Sequence, residues 1–124
     1  MKTVRPLRVV FFKTEAGNEP VREWLKELPK EDCKTIGVDI LTVQYAWPVG
    51  KPLVDCLGDG IWEVRSRLSN RIARTLFAVV DEEIVLLHGF IKKQQNTPPD
   101  ALDLAKKRKK QYLETYEQKN PSRK

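Results

Sequence analysis

One histidine, two cysteines and six glycines in 124 residues leave little material for several common kinds of chemistry. Cys33, Cys56 and His88 do not have the spacing of a metal site. The chain has no phosphate-cradling glycine loop, no dinucleotide glycine fingerprint and no nucleophile elbow. The two cysteines read as reduced thiols in a cytoplasmic protein, with a single disulfide between them as the alternative. No apolar run approaches the length needed to cross a bilayer. The apolar stretch in MKTVRPLRVVFF is too short for a signal-peptide core and ends at Lys13 and Glu15. The expectation is a cytoplasmic chain that uses no cofactor and no membrane.

What is present is positive charge, unevenly placed. Residues 1–60 hold nine Lys/Arg and nine Asp/Glu, whereas residues 61–124 hold 14 and eight, which is the whole net charge of +6. Such an asymmetry favours a polyanion-facing half. The length fits one modest domain, expected over residues 1–118, with a frayed tail over 119–124.

The pattern of apolar residues predicts the elements. Arg8 to Lys13 reads as a strand rich in Val and Phe. Asn18 and Pro20 announce a helix over Val21 to Leu28, with Val21, Trp24, Leu25 and Leu28 on one face. After Pro29, Asp32 is placed to cap a second helix, Cys33 to Ala46, with Cys33, Ile36, Ile40, Leu41 and Val43 as its apolar positions. Val49 to Gly60 reads as a loop. Three strands then follow in IWEVRSRL, IARTLFAVV and IVLLHGFI, joined by Ser69-Asn70 and by Asp81-Glu82-Glu83, turns short enough to force antiparallel neighbours. Thr97 or Asp100 caps a last helix. The order β-α-α-β-β-β-α describes an α+β fold, a small, mostly antiparallel sheet packed against a helical hairpin as one layer of helix on one of sheet.

Period two places Glu63, Arg65 and Arg67 on one face of their strand and Trp62, Val64 and Ser66 on the core face. Arginines on an open sheet face often only keep it soluble, so that face alone decides nothing. Arg74 is more telling, because it interrupts an apolar strand. A half-buried arginine must be paired, here with Glu63 or Asp55, or must face a ligand. Lys92 and Lys93 end the third of these strands. His88, on the face of Leu86 and Phe90, reads as a core histidine more readily than as a base. Lys106 to Lys110 wrap more than one face of the last helix, as a solvated run or a phosphate-tracking surface.

Several of these motifs recur together, in order, in one family. LGDGIWEVR, the second-strand Arg74, VLLHGFIKKQQNTP and AKKR resemble the RelE-like toxins of toxin–antitoxin systems, most of all the phage-derived HigB type. The resemblance covers Leu57 to Arg108. It implies a RelE-like fold and a metal-independent endoribonuclease that cleaves mRNA on the ribosome. It also implies neutralisation by a HigA-like helix-turn-helix antitoxin. In such chemistry the RNA 2′-OH attacks the adjacent phosphate, so the enzyme must manage two protons and the added negative charge. Carried over by position, Arg65 and Arg74 bind the phosphate and stabilise the transition state. Lys93 binds beside it or carries a proton, and His88 is the weaker acid or base. Arg67, Arg71, Lys92, Lys106, Arg108 and Lys109 hold the RNA backbone, and Trp62, Leu57 and Phe90 belong to the core. Relatives often carry a tyrosine beside the second-strand arginine. Ala73, Thr75 and Phe77 stand there instead, which leaves proton transfer to a lysine, His88 or Tyr112. A non-catalytic RNA- or ribosome-binding module is the competing reading.

Overall fold

Pro20 and Pro29 decide where the first two helices begin. A computed structural model describes residues 6–92 and 97–119. Its elements are β1 (Arg8–Phe11), α1 (Pro20–Glu27), α2 (Lys30–Ala46), β2 (Val54–Gly58), β3 (Ile61–Arg67), β4 (Ile72–Val80), β5 (Glu83–Lys92) and α3 (Pro99–Lys119). Pro20 occupies the first turn of α1, where a missing N–H costs little. The residues flanking the helix starts are Glu19 and Pro29, not the expected Asn18 and Asp32, and neither makes a side-chain cap. Asp32 lies inside α2 and pairs with Arg71 instead.

The sheet order is β1-β5-β4-β3-β2. β2 to β5 form antiparallel pairs, and β1 joins the edge of β5 in parallel. β2 corrects the loop expected over Val49 to Gly60. Of its five residues only Val54 is buried, so the run carries almost no hydrophobic pattern, and backbone pairing to β3 makes it a strand.

The sheet is covered on both faces, not on one as expected. On one face α1 and α2 lay Val21, Ile36, Ile40 and Val43 against Val54, Val64, Ala73, Phe77, Ile84 and Leu86. Trp47 meets Trp62 and Phe77 edge-on there, at 4.9 and 5.6 Å between ring centroids. Leu41, expected on this apolar face, is half exposed. On the other face α3 lays Ala105 over Ile61, Leu76, Ala78, Val85 and Leu87. β3, β4 and β5 thus alternate between two apolar surfaces, as strands buried on both sides do.

A bulge in β5 changes which way His88 faces. Phe77 pairs with Leu86 while Leu76 pairs with His88, so Leu87 is the extra residue. His88 therefore shares the α3 face with Leu76 and Phe90, not that of Leu86. One residue on, Gly89 lies under α1, where an added Cβ would overlap the Trp24 indole. That close approach explains the glycine in the Leu-His-Gly-Phe motif.

Candidate functional site

The α3 face is apolar under the helix and becomes charged beyond its first turn. There the ladder sets Arg67 opposite Ile72, and Arg65 opposite Arg74, which in turn faces Phe90. Two arginines directly across a strand pair repel each other. Glu63, next to Arg65 on the same face of β3, relieves that repulsion. Its Oε2 accepts a hydrogen bond from Arg74 Nη1 at 3.1 Å, and its Oε1 lies 3.9 Å from Arg65 Nε. Thr97, just before α3, completes the group. Its hydroxyl accepts from Arg74 Nη1 at 2.7 Å and donates to Glu63. This hydroxyl or Asp100 was expected as the helix cap; the N–H groups of Ala101 and Leu102 bond the Pro98 carbonyl.

The two arginines differ in access. Arg74 is 3% exposed and Glu63 1%, so their ion pair is inside the protein. The Arg65 side chain is 30% exposed, and Arg67 is open to solvent. Of the two partners foreseen for Arg74, Glu63 is the one it meets, while Asp55 pairs with Lys51 at 3.7 Å.

The remaining expected residues fall into separate settings. Arg71 pairs with Asp32 of α2. Lys106 lies 2.9 Å from the Asp59 carboxylate, and Lys109 donates to the Asp59 carbonyl at 2.9 Å. Both lysines are thereby tied to the turn before β3. In that turn Gly58, Asp59 and Gly60 all have positive φ, and a Cβ at Gly60 would strike Lys109. Arg108 is half buried, donating to the Leu87 carbonyl at 2.8 Å with its guanidinium over the Phe12 ring. Lys92 stands opposite Ile72 in the ladder. Lys93 and the tail from residue 120 lie outside the described residues.

His88 stacks on Phe90 at 5.5 Å between centroids. Burial, and then the charge of Arg108, hold its pKa below the ordinary value. Its ladder position is diagonal to Arg74, roughly 7–8 Å away between α-carbons. The aromatic alternatives lie elsewhere. Phe77 points into the α1–α2 core on the opposite face. The Tyr112 hydroxyl bonds Glu83, roughly 20 Å from Phe90 along β5 at the ordinary strand rise. Burial and that carboxylate push the phenol well above its usual range. Among the described residues no cluster of three or more His, Cys, Asp or Glu side chains is arranged to hold a metal ion. No helix among them is long and apolar enough to cross a membrane.

Sequence reasoning named the arginines but not Glu63 or Thr97 as members of the site. Glu63 had a signal, being a carboxylate two residues from Arg65 on the same strand face. Thr97 had none, because its place depends on where the chain passes after β5.

Three helices around a five-stranded mixed sheet, with guanidinium groups gathered at one end of one face, agree with a RelE-like fold. A family model described as phage-derived protein Gp49-like (DUF891) matches residues 23–110. The chain belongs to this family, a family of RelE/Gp49-type toxins. No curated protein matches it.

Proposed function

We propose that this protein is the toxin of a toxin–antitoxin system, of HigB type, and an endoribonuclease that cleaves mRNA on the ribosome. The observation that carries the reading is the arginine pair on the α3 face. A solvent-reaching Arg65 stands directly opposite a buried, carboxylate-paired Arg74, and Arg67 lies open two residues further along. A guanidinium keeps its charge and can bond two phosphate oxygens at once, which suits a transition state that gains negative charge.

In this reading Arg65 contacts the scissile phosphate and Arg74 braces the site from beneath. Lys93 supplies a second cation, and Arg67 and Lys92 hold the adjoining RNA backbone. Lys106, Arg108 and Lys109 contribute chiefly through the field of the basic half, since each already has an internal partner. His88, its pKa held below the ordinary value, takes the proton from the 2′-OH as that oxygen bonds phosphorus; the P–O5′ bond breaks and the 5′-oxygen leaves with a proton from Lys93. Arg71 flanks the site while paired to Asp32. The partner that neutralises the toxin is a HigA-like helix-turn-helix antitoxin, and the chemistry needs no metal.

Primer extension on mRNA in a reconstituted translation reaction tests the reading, with a ribosome-free control containing EDTA. Discrete cuts that require ribosomes and disappear with Arg65→Ala are expected. One observation favours the competing reading of a non-catalytic RNA- or ribosome-binding module: the Tyr112 and Tyr116 hydroxyls bond Glu83 and Asp81, at the end of β4 and β5 away from Arg74. Intact message despite tight binding to ribosomes would establish that alternative.

A further inference from the structure

Glu63 is an unexpected residue to find inside a phosphate site, because a carboxylate repels the ligand its neighbours attract. Yet it is almost completely buried, and each of its oxygens is directed at a different arginine. Oε2 bonds Arg74 and Thr97, whose own hydrogen bond closes a three-membered network. Oε1 lies 3.9 Å from Nε of Arg65, an ion-pair contact longer than a hydrogen bond. A guanidinium approached at Nε still has both terminal nitrogens available, and those form the fork that grips two oxygens of a phosphate. The exposure gradient runs the same way, from buried Glu63 and Arg74 to the partly open Arg65.

From this geometry we infer that Glu63 is a positioning residue: anchored by Arg74 and Thr97, its charge draws Arg65 in from the Nε side so that the terminal nitrogens meet the RNA phosphate. Arg74 is then the counter-ion of Glu63 and does not touch RNA. The inference rests on the nuclease reading for its kinetic consequence, but not for its structural one. It explains why two arginines stand opposite each other with a carboxylate between them: the acid separates their roles.

Two variants test it. Glu63→Gln alone leaves a buried guanidinium beside a neutral amide and weakens the fold, so the informative variant is the doubly neutral Glu63→Gln/Arg74→Gln, checked by its melting curve. With the fold retained, kcat on mRNA falls roughly 100-fold, as expected for a reacting group displaced by about 1 Å, while KM changes little. Arg74→Lys preserves the counter-charge and should lose far less kcat than the double variant, whereas a bidentate phosphate contact would not survive that change. Wild-type kcat in the folded double variant would overturn the positioning role, and a large loss in folded Arg74→Lys would overturn the counter-ion role.

A second readout does not depend on cleavage. The ¹⁵N-NMR signal of the Arg65 Nε–H should exchange with water faster in the double variant than in the wild type. Should the wild-type protein fail to cut RNA, the nuclease reading falls and this signal alone decides the inference. A change in exchange supports the Glu63 contact, and identical exchange in both proteins overturns it.

Discussion

Arg65 and Arg74 face each other in the ladder, yet they should answer mutation in opposite ways. Arg74→Ala leaves the buried Glu63 carboxylate with only the more distant Arg65 as counter-charge, which costs up to about 3–5 kcal/mol. A melting temperature lower by roughly 10 °C or more checks this. Arg65→Ala removes a partly exposed group, so the melting temperature barely moves while cleavage falls by roughly 10²–10³-fold. His88 gives a second test at this scale. Its folded pKa lies below the ordinary 6.5, through burial first and Arg108 second. At mildly acidic pH the unfolded chain therefore binds more protons than the folded one. The stability from neutral His88 is complete above about pH 6.5 and is lost as the pH falls toward the folded value. Melting temperature followed from about pH 7.5 to 5 should drop less in His88→Gln than in the wild type. With His88 as the base, the cleavage rate should level off by neutral pH, whereas a lysine base would keep it rising.

At the scale of elements, the sequence was readable wherever apolar residues repeat at a fixed period. β3, β4 and β5 were visible because Ile61, Leu76, Phe77, Val85 and Leu87 fill cores on both sides of the sheet. β2 was not, since a strand with one buried residue leaves only backbone pairing as its signature. The second helix layer was also missed. Alternation within a strand shows that one face is apolar but does not say what covers the other. The site was legible as a set of cations; its order was not, because the Glu63–Thr97 contact joins residues 34 positions apart. The β5 bulge was equally hidden, and with it the face on which His88 lies. One close approach between elements yields a coupled prediction. Gly89→Ala drives a methyl group into Trp24 and should cost about 1–3 kcal/mol, with a change in tryptophan fluorescence. Trp24→Leu should recover part of that loss when combined with it, since the ring atoms that clash are gone. Additive losses in a double-mutant cycle would refute the contact.

Across the whole molecule, charge is divided between a balanced first half and a basic second half. Binding of RNA or ribosomes should therefore weaken steeply with salt, and Arg67→Ala should reduce the slope of log K against log salt by about one. Lys106→Ala should change that slope less, because its ammonium is already paired with Asp59. Phage-derived Gp49-like membership and the RelE-like sheet make a toxin the natural setting for such a surface. The central claim is narrower: the arginine-bearing face guides attack of a 2′-OH on the neighbouring phosphate. The most direct test is end-group analysis of message cut by the wild-type protein in a translation reaction. A 2′,3′-cyclic phosphate upstream and a free 5′-hydroxyl downstream are predicted at each cut. A 5′-phosphate with a 3′-hydroxyl, or no cut at all, would contradict the account.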